Sequence, residues 1–160
     1  MTRRRAAAEP PPAAAFAPPS AARLVRSVGG TTPGVSRHAF KSSRVAPPDG
    51  AYSAGVSYGN LVAVSAQLPV DTSGEVVAGG SAVQADAAFA NLRHQLTSIG
   101  LSLDHVVSLR VYLVDESDMA AVDAAVGAAF DGPYPARTVV GVAWLPGGAR
   151  LQVEALAARH

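Results

Sequence analysis

A chain of 160 residues, 49% of them hydrophobic, is long enough for one domain with a true core plus extensions. It has no cysteine, which excludes disulfides, thiolate metal sites and a cysteine nucleophile. The net charge of +1 conceals an uneven distribution: residues 1–48 carry eight basic side chains against Glu9 alone, a charge of +7, and residues 49–160 carry five basic and eleven acidic ones, a charge of −6. An acidic body lacks the clustered Lys and Arg that phosphate contacts need, which argues against nucleic acid as a partner.

Residues 1–45 have the composition of a disordered tail rich in Arg, Ala and Pro, with Pro10-Pro11-Pro12 and Pro18-Pro19 breaking any long helix. An Arg-rich, acid-poor leader fits three readings: an organelle transit peptide, a disordered extension, or translated sequence upstream of the true start. No apolar run approaches the roughly 20 residues that span a membrane, so a soluble, cytoplasmic or organellar protein is expected. Pro47-Pro48-Asp49-Gly50 is turn chemistry, and the folded domain is expected over residues 46–160.

Ala51–Ser57 and Leu61–Gln67 are strand candidates around Tyr58-Gly59-Asn60, a hairpin pattern. Ser81-Ala82-Val83-Gln84 fits a capping box and predicts a helix in which Phe89, Leu92, Leu96 and Ile99 share a face, closed by Gly100. Residues 106–114 predict a strand with Val107, Leu109, Val111 and Leu113 on one face. Ser117 is expected to cap a second helix that buries Met119, Val122, Val126, Ala129 and Phe130. Pro135 fixes the approach to Thr138–Val142, whose β-branched composition is that of a buried strand, and Arg150 to about Ala157 completes the set. The order β-β-α-β-α-β-β predicts an α+β fold: one sheet of five or six strands with two helices on one face. The other face, which includes Gln152 and Glu154, then needs a cover, and self-association would supply one.

None of the nucleotide, hydrolase or zinc motifs is present, and His94 has no second histidine at ligand spacing. What remains is Arg137 where loop becomes strand, the pair Gln152/Glu154, and hydroxyls at Tyr52, Ser65 and Thr138. A guanidinium held at a strand mouth is equally consistent with a surface ion pair and with a carboxylate-binding pocket. The set suits binding a small anion and polarising a water; it supplies no obvious nucleophile.

Residues 49–160 resemble the Rid (YjgF/YER057c/UK114) family of reactive intermediate deaminases. The resemblance rests on Gly50-Ala51-Tyr52-Ser53, Gly59-Asn60-Leu61-Val62, Ser65-Ala66-Gln67-Leu68-Pro69, Asn91-Leu92, Pro135-Ala136-Arg137-Thr138, Leu145-Pro146 and Val153-Glu154-Ala155 in that order. It implies a chorismate-mutase-like fold and a homotrimer with active sites between subunits. It also implies hydrolysis of 2-imino or 2-enamino acids to 2-keto acids and ammonia without metal or organic cofactor. By the same resemblance Arg137 grips the substrate carboxylate, while Tyr52 and Ser65 line the pocket. Backbone near Thr138 and Val139 would hold the imine nitrogen, with Tyr134 and Glu154 completing the ligand set. The family's water-orienting glutamate corresponds to Gln152 here, its second-helix asparagine to Asp123, and a common cysteine to Val139. With Gln152 in that place, a non-deaminating protein that binds small carboxylates is the alternative; the family's endoribonuclease label fits the acidic body poorly.

Overall fold

The computed structural model describes residues 36–159. Its strands are β1 (His38–Phe40), β2 (Gly55–Tyr58), β3 (Leu61–Gln67), β4 (Val106–Leu113), β5 (Ala136–Gly141) and β6 (Leu151–Ala158). Its helices are α1 (Ser81–Thr97) and α2 (Met119–Ala129). The strands form one mixed sheet in the order β1-β2-β3-β6-β4-β5. Only β4 and β5 run parallel, because α2 crosses between them. The expected α+β architecture of six strands and two helices is what the chain adopts.

The hairpin forms as its sequence demands. Tyr58 pairs with Leu61 across the two-residue turn Gly59-Asn60, and Gly59 takes a φ of 58° that a side chain would disfavour. β1 was not anticipated. It pairs His38 with Ser57 and Phe40 with Gly55, so the sheet begins ahead of the expected boundary at 46. Gly55 is what allows this, since a Cβ there would collide with the Phe40 ring. Residues 1–35, the greater part of the expected tail, lie outside the described residues.

Periodicity is rewarded in α1, where Ala85, Ala88, Phe89, Leu92 and Leu96 enter the core with Val122, Ala125 and Val126 of α2. Beneath them lie Val62 and Val64 of β3, Leu109, Val111 and Leu113 of β4, and Leu151, Val153, Ala155 and Ala157 of β6. Both helices therefore cover the same face of the sheet. Gly100, at a φ of 77°, turns the chain so that Leu101 N–H returns to the Leu96 carbonyl at 3.0 Å.

Three local expectations are corrected. No side chain caps α1: Gly80 is its N-cap, and Gln84 is buried, its Oε1 accepting from Arg150 N–H at 2.9 Å. The reciprocal cap occurs instead at Ser102, whose N–H donates to His105 Nδ1 at 3.1 Å. Ser117 is not a cap either; its own N–H donates to the Asp115 carboxylate at 2.9 Å, at the 3-10 turn before α2. Finally, a bulge between Val106 and Ser108 reverses the start of β4, so Val106 is buried and Val107 is half exposed.

Candidate functional site

β5 departs most from expectation. Its β-branched composition predicted burial, yet apart from the half-buried Val139 it is exposed, because it is the sheet's edge and nothing among the described residues covers its outer side. Arg137 stands near its N-terminal end, opposite Leu109 of β4, and so on the helix-covered side. There its Nη1 donates to Asp123 Oδ1 of α2 at 2.7 Å. Arg137, Asp123, Tyr134 and Pro135 form the rim of a cleft of about 330 Å3 whose floor is Leu109, Val126 and Gly127. Arg137 is thus in an ion pair, and that pair borders a cavity.

The opposite face of the sheet gathers a second set. Glu154 accepts a short hydrogen bond from Arg110 and another from the Tyr112 hydroxyl at 3.1 Å. This is a three-residue polar cluster on neighbouring strands. It borders a shallow depression of about 420 Å3 that includes Ser65, Ser108 and Leu156. Gln152 pairs with Tyr112 on the same face, and its amide has no hydrogen-bond partner among the described residues. Thr138 lies opposite Arg110 and is exposed; Val139 turns back towards the core.

A third set is held by loops. Ser65 lies in a β3 bulge, between Val64 and Gln67, and its hydroxyl donates to the Ser53 carbonyl at 2.7 Å. A chain of buried amides fixes this bulge. Ser42 N–H donates to Gln95 Oε1 (2.8 Å), Gln95 Nε2 to Gln67 Oε1 (3.3 Å), and Gln67 Nε2 to the Ser65 carbonyl (2.7 Å). Asn91 pins the following loop by donating to the Leu68 and Val70 carbonyls, each at 2.9 Å. Tyr52 donates to Asp49 at 3.3 Å; partial burial first, then the Asp49 charge, raises its phenol above the ordinary value and keeps it a proton donor.

One chain does not bring the expected site residues together. Arg137 and Tyr134 share a cleft, and Ser65 and Glu154 share a depression on the other face. Gln152 and Arg137 are two strands and three residues apart, roughly 10 Å in each direction, and on opposite faces. The Arg110–Glu154–Tyr112 cluster escaped sequence reasoning, although the alternation of β4 places Arg110 and Tyr112 on one face. Among the described residues no group of three His, Asp or Glu could hold a metal. Burial, with Arg44 and Arg93 nearby, lowers the pKa of His94.

Residues 43–159 match the family profile described as Endoribonuclease L-PSP, which spans the YjgF/Rid proteins. The chain belongs to the Rid family. It is 36% identical over 124 residues to the rat protein named 2-iminobutanoate/2-iminopropanoate deaminase, covering 77% of this chain and 90% of that one. Its fold superposes on the crystal structure of RidA from the Antarctic bacterium Psychrobacter sp. PAMC 21119 with a TM-score of 0.73 at 33% identity, over 76% of this chain and 99% of that one. It matches Escherichia coli TdcF with bound serine equally well, at a TM-score of 0.73 and 31% identity, over 77% and 99% of the two chains. No helix among the described residues of this Rid chain is long and apolar enough to cross a membrane.

Proposed function

We propose that this Rid protein hydrolyses reactive 2-imino and 2-enamino acids to 2-keto acids and ammonia. The observation that carries the reading is Arg137, fixed at the mouth of β5 above an apolar-floored cleft and beside Tyr134. A guanidinium there supplies parallel N–H donors for a carboxylate while the floor accepts a short alkyl chain. Relatives named 2-iminobutanoate/2-iminopropanoate deaminase at 33–36% identity support the reaction class.

The chemistry asks little of the protein. Water adds to the C=N carbon, the nitrogen takes up a proton, and the tetrahedral adduct expels ammonia as the C=O bond forms. Holding the carboxylate and one water in place supplies most of the help required. β5 is an edge strand, so backbone groups around Thr138 and Val139 that face away from β4 are free to meet the imine nitrogen. Gln152 can orient a water through its amide but cannot take its proton, so catalysis is slower than a glutamate there would give. Tyr52, Ser65, Gln152 and Glu154 join Arg137 only if a second copy brings its bare face to the β5 edge, and a homotrimer does this with cyclic symmetry. The part-exposed Leu156, Val140, Tyr134 and Trp144 supply apolar surface for that contact.

A second reading is specifically favoured by Gln152: a Rid protein that keeps carboxylate binding and lacks efficient hydrolysis. One assay separates the two. A dehydratase acting on serine releases 2-aminoacrylate, whose imine semicarbazide traps, and a deaminase lowers the trapped signal. Wild type is expected to lower it, Arg137→Ala to lose about a hundredfold in kcat/KM, and Gln152→Glu to gain. An inert wild type leaves the binding reading, and activity that survives Arg137→Ala removes Arg137 from the site.

A further inference from the structure

We propose that Asp123 is a built-in competitor for the ligand carboxylate at Arg137, and that it shifts the cleft's preference away from anions towards neutral carbonyl and imine compounds. The inference rests on the reading of Arg137 as the ligand-binding cation. Arg137 and Asp123 are the only charged side chains lining the cleft among the described residues, so the cleft is formally neutral. Asp123 Oδ1 already accepts from Nη1 at 2.7 Å, which takes one terminus of the fork that a bidentate carboxylate would use. The Asp123 side chain is 57% exposed and that of Arg137 29%, so the pair faces the space a ligand would enter rather than the core.

An incoming carboxylate has two courses. It displaces Asp123 into solvent, or it accepts from the remaining donors with a second negative charge a few ångströms away. Each weakens anion binding, by about tenfold for a like charge roughly 6 Å distant in a half-solvated setting. A ligand with no carboxylate meets no such repulsion. Substrate and transition state both carry the carboxylate, so the competition is uniform: it raises KM and leaves kcat. An amide in place of the carboxylate would still accept from Nη1 and hold the guanidinium, but would restore the positive charge.

The test uses the full chain and two probes, 2-oxobutanoate and its uncharged amide, titrated calorimetrically into wild type, Asp123→Asn and Arg137→Ala. Asp123→Asn is expected to bind 2-oxobutanoate about tenfold more tightly with the neutral amide unchanged. KM for an imino acid should fall in proportion at constant kcat. Equal or weaker 2-oxobutanoate binding by Asp123→Asn overturns the proposal, as does tightening of both probes alike, or no binding by either protein. If instead Arg137→Ala binds 2-oxobutanoate as wild type does, it is the carboxylate site itself that fails. Thermal melting of each variant reports whether the fold is kept.

Discussion

Alternate residues of β4 and β6 go to opposite faces of one sheet, and the two faces have met different fates. On the covered face Leu109, Val111, Leu151 and Val153 are sealed under α1 and α2. On the bare face the same strands present Tyr112, Arg110, Gln152 and Glu154, with Leu156 left 39% exposed. The covered face is complete within one chain and explains stability. The bare face is polar, partly apolar and unfinished, and half of the expected site lies on it. The fold is thus a packed scaffold that leaves one sheet face open among the described residues, and the proposed function assigns that face to a second copy.

The contrast is sharpened most by truncating one side chain on each face. Leu92→Ala removes a fully buried side chain and should cost about 2–5 kcal/mol of unfolding free energy in urea titrations. Leu156→Ala should change the isolated chain by less than about 0.5 kcal/mol while shifting its sedimentation towards smaller species. Equal losses at the two sites would break the comparison. A smaller effect is expected from Gln95→Leu, which leaves the buried Ser42 N–H and Gln67 Oε1 without their partner and should cost about 1–3 kcal/mol. The same variant should loosen the Ser65 bulge, visible as faster amide exchange there.

The smallest effect lies on neither face. Asp71 is held below the ordinary carboxylate range, first by the Ser73 hydroxyl and then by the Glu75 and Ser73 amides. A depressed carboxyl stabilises its loop above the unfolded value of about 4 and releases it as pH falls through the lower folded value. The Ser73 and Glu75 amide resonances should therefore hold steady at pH 5 and move only below about 4.

What the sequence made legible was local. The Gly59-Asn60 hairpin and the buried stripe of α1 depend on neighbours within one turn or one strand pair, and both formed as expected. What stayed hidden depended on partners distant in sequence. Gln84 satisfies a capping pattern, yet the Arg150 N–H, far along the chain, claims its side chain. The bulges at Val107 and at Ser65-Ala66 exist only because β6 pairs out of step. β5 has the composition of an interior strand yet lies at the sheet's edge, a place that composition does not record. Of the candidate site, Arg137 stood out by its position after Pro135. Its engagement with Asp123 was not, since fourteen residues and a helix separate them.

Phe40 lying over Gly55 bears on where this gene can be cut. The match to the family profile starts at residue 43, and low-complexity composition ends near 45, so either would be a natural place to begin a shortened protein. Both cuts discard β1, uncover Gly55, strip β2 of its neighbour and take the Ser42 amide that Gln95 needs. A version begun at Ser36 keeps all of these. The start of the profile match and the start of the sheet are, in this chain, different residues.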